Sequence, residues 1–274
     1  MADITAVISQ SIEKLRSNMP LVHCITNYVT VNDVANALLA IGASPIMADD
    51  IREVSDITAI SSALVINIGT LNERTVQSML EAGKTANKNN IPVVLDPVGA
   101  GASQFRNYTV KELLKEVQIN VIRGNLSEVS YIAGLKVNTK GVDTALADSC
   151  NNPMEMALMA ANKYNCTVGI TGAVDVVTDG NRVVQISNGV TYLSKVTGTG
   201  CMTTALVGAF MGAGVDSLTA TIAGICSMGI AGEISYEKYN DIGTGTFHMG
   251  IIDALSRLNT DTYIKRAKLN EKES

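Results

Sequence analysis

Ile91-Pro-Val-Val-Leu-Asp-Pro97 is the stretch that decides the fold. Its apolar residues run on without alternation, as in a strand covered on both faces. It ends in a carboxylate, and a glycine turn follows at Val98-Gly-Ala-Gly101. Runs of the same kind stand at Leu21–Thr26, Ser44–Ala48, Ala63–Ile68, Asn120–Arg123 and Thr167–Thr171. Between them lie longer stretches with helical periodicity. The clearest begins near Asn72 and places Val76, Met79, Leu80 and Gly83 on one face. Strand and helix in alternation predict a mainly parallel sheet with helices on both sides. The pattern then changes. Asp175–Thr178, the turn Asp179-Gly-Asn181 and Arg182–Ile186 predict an antiparallel hairpin at the sheet's edge. After Gly200 the chain reads as helical almost to its end. The expectation is one α/β domain over residues 1–274, with a doubly wound sheet, an edge hairpin and a helical C-terminal third.

Composition narrows the function classes. The 274 residues are 46% hydrophobic and 17% charged, which speaks against disorder. The formal net charge is −5 and no Lys/Arg stripe is present, so nucleic acid is not an expected partner. Lys265, Arg266 and Lys268 read as a solvated helix end. The five cysteines, Cys24, Cys150, Cys166, Cys201 and Cys226, are widely spaced and include no Cys-x-x-Cys pair. That pattern suits reduced thiols in the cytoplasm and speaks against a disulfide framework or a zinc knuckle. Met1 to Ser17 has helical spacing and lacks the order of a signal peptide. Val196 to Val215 is uncharged and nearly long enough to span a membrane. Its many Gly and Thr residues predict instead a buried helix held close to a sheet.

Ligands of open α/β sheets bind beyond the carboxyl ends of the strands. The segments that reach that rim are polar: His23-Cys-Ile-Thr-Asn27, Asn67-Ile-Gly-Thr70, Asp96-Pro-Val-Gly-Ala-Gly101, Arg123-Gly-Asn125 and Thr171-Gly172. Other motifs fail. Gly83-Lys-Thr85 resembles the end of a P-loop, but Ser78 stands where the first glycine belongs, and Gly83 reads as a close helix–sheet contact. Gly99-Ala-Gly101, Gly198-Thr-Gly200 and Gly243-Thr-Gly245 each lack the third glycine of a dinucleotide fingerprint. A Gly-x-Ser-x-Gly elbow is absent, and His23 and His248 are too few for a histidine metal cluster. His23, inside an apolar strand, reads as a core histidine.

Val196-Thr-Gly-Thr-Gly-Cys-Met-Thr-Thr204 carries the clearest chemistry. Glycines open a helix whose free amides can hold an anion. Cys201 falls in the first turn, where the helix dipole is expected to favour its thiolate. A tight turn with a buried cysteine is the plainer reading of the same residues. Gly198-Thr-Gly-Cys201 resembles the Gly-x-Gly-Asp loop of ribokinase-like kinases with Cys in place of Asp, as in hydroxyethylthiazole kinases. Leu21–Asn27, Gly42-Ala-Ser-Pro-Ile-Met-Ala48, Asn67–Thr70, Asp96–Ala102, Ile122–Asn125 and Ile170–Gly172 are similar to that family's segments, in the same order.

The resemblance implies a ribokinase-like three-layer sandwich. It also implies Mg²⁺- and ATP-dependent phosphorylation of the thiazole alcohol 5-(2-hydroxyethyl)-4-methylthiazole, a step of thiamine salvage. A homotrimer with active sites at subunit boundaries is implied too. Rival readings are a pyrimidine or pyridoxal kinase of the same fold and a non-catalytic thiazole or nucleotide sensor. Carried over residue by residue, the resemblance gives Gly198, Gly200 and Cys201 to the phosphoryl site and Arg123 and Thr171 to ATP. Asp96 and Glu128 go to the metal, and Met47, Asn27 and Gly198 to the thiazole. The residues themselves leave alternatives. Asp96 also suits a cap, and Arg123 a surface ion pair. Met47 also suits the core, and Asn125-Leu-Ser-Glu128 a capping box. Cys24, Cys150, Cys166 and Cys226 read as inert small hydrophobes. The polar tail Asn270–Ser274 is expected to leave the site unaffected.

Overall fold

The computed structural model describes residues 4–134 and 152–272. The apolar runs form β1 (Leu21–Ile25), β2 (Ser44–Ile46), β3 (Ala63–Asn67), β4 (Val93–Asp96), β5 (Val121–Asn125) and β6 (Thr167–Thr171). These six strands are parallel, and the sheet continues antiparallel through β7 (Asp175–Thr178), β8 (Val183–Ile186) and β9 (Leu269–Lys272) in the order β2-β1-β3-β4-β5-β6-β7-β8-β9. The hairpin therefore forms as read but is not the edge. The last residues of the helical third return as a ninth strand outside it.

Successive strand residues bury on opposite faces, so the sheet divides two cores. Val22, Cys24, Val65, Val94 and Val121 face α1 (Ile4–Asn18), α2 (Val31–Ile41), α8 (Thr199–Gly212), α9 (Ser217–Tyr239) and α10 (Thr244–Arg257). Ile25, Leu64, Ile66, Leu95 and Ile122 face α3 (Val54–Ile60), α4 (Glu73–Lys88), α5 (Gln104–Glu116), α6 (Leu126–Ala133) and α7 (Pro153–Tyr164). A short α11 (Thr260–Arg266) leads into β9. Asn72 caps α4 as the sequence suggests, and Val76, Met79 and Gly83 are buried. The nearest neighbour of Gly83 is not a strand residue. A Cβ there would lie 2.5 Å from Val117 at the end of α5, so the close contact is helix to helix.

The segment 196–215 contributes α8, packed over β1, β3 and β4. A Cβ at Gly208 would stand 2.4 Å from a methyl of Val65, so the helix can lie this close only with glycine there. Among the described residues, the helix of membrane-spanning length and apolarity is α9, next in the chain, and 89% of its most apolar window is buried within the protein. Gly224 seats α9 against α8, since its Cβ would fall 2.7 Å from the Val207 backbone nitrogen. Backbone cannot swing aside as a side chain can. Gly224→Ala is therefore expected to destabilise by about 1–3 kcal/mol or more. Gly245→Ala, whose Cβ meets nothing within 4 Å in α10, should be neutral or stabilising by up to about 1 kcal/mol. Urea unfolding of both variants measures the difference.

Candidate active site

The carboxyl ends of the parallel strands carry a continuous line of polar contacts. Asn27, just beyond β1, donates from Nδ2 to Asn67 Oδ1 at 3.1 Å. Asn67, the last residue of β3, donates from its own Nδ2 to Asp96 Oδ2 at 2.8 Å. Thr204 of α8 donates its hydroxyl to the same oxygen at 2.8 Å. Arg123 of β5 places Nη1 3.9 Å from it and donates from Nη2 to the Thr171 hydroxyl at the end of β6. The structure thus brings together Asn27, Asp96, Arg123, Thr171 and the start of α8.

Asp96 is 1% exposed, and its Oδ1 has no hydrogen-bond partner among the described residues. Burial pushes its carboxyl up to about 6; Arg123, Thr204 and Asn67 oppose that rise, and nearby Glu128 adds to it. A buried carboxylate oxygen with nothing to accept from calls for a cation. No group of three acidic, His or Cys side chains that could cage a metal occurs among the described residues. One or two carboxylates suffice for Mg²⁺, which keeps its waters and takes further oxygens from phosphates. Asp96 fits such a partial site.

Glu128 is a cap. Its Oε2 accepts from the Asn125 amide at 2.8 Å, and Asn125 Oδ1 accepts from the Glu128 amide at 2.9 Å. Its Oε1 accepts from the Gly99 amide at 2.8 Å, which ties the turn after β4 to α6. Each oxygen keeps a second lone pair, so capping and cation binding are compatible.

Gly198 opens α8 with φ of +87°, and a Cβ there would meet Thr30 at 2.9 Å. The first helical bond runs from the Met202 amide to the Gly198 carbonyl at 2.8 Å, so the amides of Thr199, Gly200 and Cys201 precede it. A Cβ at Gly200 would lie 2.8 Å from Arg123 Nη1. Amides, helix terminus and guanidinium therefore converge on one anion position. Beside it opens a cavity of about 550 Å³ lined by Arg123, Thr171, Asp175, Asn188, Thr199 and Gly200, among others.

Cys201 corrects one expectation. Its sulfur accepts from Asn27 Nδ2 at 3.2 Å and Asn67 Nδ2 at 3.3 Å. Burial, and then Asp96, nonetheless push the thiol above its ordinary value, and these outweigh the hydrogen bonds from Thr30, Asn27 and Asn67. The thiolate that the helix terminus was expected to favour is disfavoured. Cys24 and Cys166 are buried with thiols pushed up to about 12, and burial raises Cys226 as well, in keeping with inert roles. Cys150 lies outside the described residues.

His23 is fully buried. Its Nε2 donates to the Ala48 carbonyl at 2.8 Å, so Nδ1 accepts from the Thr58 hydroxyl at 2.9 Å in the neutral ring. Burial lowers its pKa, with the Ala48 bond opposing. The core reading of His23 holds, and the ring also anchors the segment next to Met47. Met47 is half-buried one residue beyond β2, at the end of the rim past Asn27.

Three participants escaped the sequence reading. Thr204 reaches Asp96 from one turn beyond Cys201, and its only signal is a Thr pair within an apolar helix. Arg106 donates to the carbonyls of Ile68 at 2.6 Å, Gly69 at 2.7 Å and Val98, clipping together the loops after β3 and β4. Nothing in the pattern of α5 marks it. Asp175 is 8% exposed in the cavity wall and accepts from the Gly172 amide at 2.9 Å. A carboxylate opening the apolar run of β7 was its signal.

A mostly parallel sheet with an antiparallel edge, set between layers of helices, is the fold of the ribokinase-like kinases. A pyridoxal kinase from Staphylococcus aureus shares it at TM-score 0.63 and 15% identity, over 93% of this chain and 98% of that one. The chain belongs to the hydroxyethylthiazole kinase family, whose model matches residues 12–261. Hydroxyethylthiazole kinases of Clostridium beijerinckii and Ruminiclostridium cellulolyticum are 58% and 57% identical over 272 residues. The former alignment covers 98% of this chain and 99% of the relative; the latter covers 99% and 100%. A solved hydroxyethylthiazole kinase from Pyrococcus horikoshii superposes with TM-score 0.88 at 40% identity, over 97% of this chain and 99% of that one.

Burial pushes the Asp175 carboxyl up to about 6, against the Gly172 amide and Arg123. A carboxyl with a raised folded pKa stabilises most below its unfolded value and loses that contribution as pH rises through about 6. Asp175→Asn keeps the oxygen that Gly172 needs and removes the charge. It should be more stable than the wild type at pH ~8, by up to about 3 kcal/mol. The advantage should shrink as pH falls through ~6 and vanish near ~4. Denaturant titrations of both proteins across this range check it.

Proposed function

We propose that this chain transfers the γ-phosphoryl group of ATP to the primary alcohol of 5-(2-hydroxyethyl)-4-methylthiazole, acting in thiamine salvage. The observation that carries the proposal is the convergence of the Thr199–Cys201 amides, Arg123 and Asp96 between a large cavity on one side and Asn27 on the other. Membership of the hydroxyethylthiazole kinase family supports the choice of acceptor.

The order of strands supports a division of roles along the rim. Arg123 and Thr171, at β5 and β6, hold the triphosphate, with the rest of the nucleotide in the cavity. Asn27 and Met47, at the β1 and β2 end, face the thiazole together with the Gly198 backbone. The transferring group lies between, against the amides of Thr199, Gly200 and Cys201. Asp96 and Glu128 would hold Mg²⁺, which would supply positive charge to neutralise phosphate oxygens. Phosphoryl transfer of this loose kind depends on placement and charge stabilisation more than on proton removal. In its thiolate form, Cys201 takes the hydroxyl proton late in the step. Its raised thiol pKa makes that contribution modest.

Residues 1–274 act as one kinase domain in this proposal, a reading supported by the unbroken sheet from β2 to β9. The protein is a cytoplasmic homotrimer with active sites at subunit boundaries. Two features support this. Tyr28 and Val29, immediately after Asn27, stand 78% and 57% exposed, and the described cysteines are unpaired.

The acceptor is tested by comparing kcat/KM for the thiazole alcohol with that for hydroxymethylpyrimidine, pyridoxal and ribose. The thiazole is expected to lead, and any other order removes the assignment. The site is tested by single-turnover phosphorylation at saturating Mg-ATP. Cys201→Ala should slow the reaction by no more than the roughly 10²–10⁴-fold of a general base. Cys201→Asp should stay active. Gly200→Val should do more harm than Cys201→Ala, since its Cβ would sit 2.8 Å from Arg123 Nη1 and fill the phosphate position.

A further inference from the structure

The outer wall of the cavity is the irregular segment between β8 and the short 3₁₀ helix at Thr191–Lys195. No strand ladder fixes Asn188 and Gly189, yet both line the cavity across from Arg123 and Thr171. They are fixed instead by a carboxylate on α9. Glu233 is 7% exposed. It accepts from the Gly189 amide at 2.9 Å, from Lys268 Nζ at 2.9 Å, and from Asn188 Nδ2 at 3.3 Å.

The same wall is gripped from the C-terminal side. Asn188 Nδ2 donates to the Arg266 carbonyl at 2.8 Å, and its Oδ1 accepts from the Lys268 amide at 2.8 Å. The Ser187 amide donates to the Lys268 carbonyl at 2.9 Å. Gly229, one turn before Glu233, lets α9 touch the turn directly, because a Cβ there would lie 2.9 Å from the Asn188 carbonyl oxygen. Gly189 itself has φ of +125°, a conformation that depends on its neighbours to persist.

A charge buried this deeply costs stability unless fully partnered, and an apolar residue would fill the space more cheaply. Here each partner belongs either to the cavity wall or to the segment that leads into β9. We propose that Glu233 is a positioning residue for the nucleotide, holding the Asn188–Gly189 wall against α9 with Lys268 as its clasp. The inference rests on reading the cavity as the ATP site. Lys268, which leads into β9, forms one side of the grip. Small displacements of a binding wall are enough to weaken a ligand.

The test is Mg-ATP affinity by calorimetry together with separate KM values for ATP and for the thiazole alcohol. The proteins compared are wild type, Glu233→Ala, Glu233→Gln and Lys268→Met. Glu233→Ala should weaken Mg-ATP binding and raise the ATP KM by about tenfold, the scale of one lost charged hydrogen bond. The thiazole KM, and kcat at saturating ATP, should stay within about twofold on the same reasoning. Glu233→Gln keeps an acceptor for the Gly189 amide and should fall between Glu233→Ala and wild type. If Glu233→Ala does not fold, Glu233→Gln and Lys268→Met carry the measurement. Wild type that fails to bind Mg-ATP would overturn the reading of the cavity, and the inference with it. Wild type that binds, with variants that bind equally well, would overturn the inference alone. Equal losses for ATP and thiazole together with a lowered Tm would reduce Glu233 to a structural role and also overturn it.

Discussion

The site depends on how closely α8 can approach the middle of the sheet. Gly208 sets that distance, because any side chain there would collide with Val65. At this separation the first turn of α8 reaches past the ends of β3 and β4. Thr204 then meets Asp96, and the Cys201 sulfur meets both asparagine amides. Moved outward by one methyl diameter, the helix would leave Asp96 without one of its hydrogen-bond donors. The amides of Thr199 and Gly200 would also part from Arg123. A packing constraint in an apolar interface thus fixes the geometry of polar groups one to two turns away.

Around that helix the charges are arranged at a cost. Asp96 and Asp175 are both buried carboxylates whose protonation is pushed up to about 6. Arg123 lies between them and is itself nearly buried, with an Nε that has no partner among the described residues. Such a cluster weakens the folded protein and is tolerated where binding supplies the missing partners. The uncommitted groups, Asp96 Oδ1 and Arg123 Nε, are opposite in sign and suit a ligand that brings both anionic oxygens and a cation. The neutral side chains are more completely used. Asn27 and Asn67 point their amide hydrogens in one direction along the rim, toward Asp96, so the polarity of the line is fixed before any ligand arrives.

Much of this was legible in the sequence, for definable reasons. Six strands showed because a run such as Pro92-Val-Val-Leu95 can only be covered on both faces, and their ends located the rim. The glycine spacing at 198 and 200 exposed the helix opening, and Asn125 with Glu128 exposed the capping box. What could not be read were contacts set by distance in space. Thr204 looks like any helix threonine until Asp96 is placed beneath it. Arg106 lies in a polar helix start, and its three carbonyl partners come from two other loops. The raised thiol of Cys201 was hidden because position in a helix is local, whereas burial and the charge of Asp96 are not. The strand at Leu269–Lys272 was missed because four residues without an apolar pattern pair through their backbone alone.

That last strand bears on how the chain can meet other chains. Among the described residues, the outer strands of the sheet are β2 and β9. The first is only three residues long and includes Pro45, which has no amide hydrogen to offer. The second ends in Glu271 and Lys272, both exposed, and a neighbouring strand would have to desolvate them. Both borders therefore resist the addition of a strand from another molecule. Edges of this kind disfavour lateral growth of the sheet and favour contacts through helices and loops.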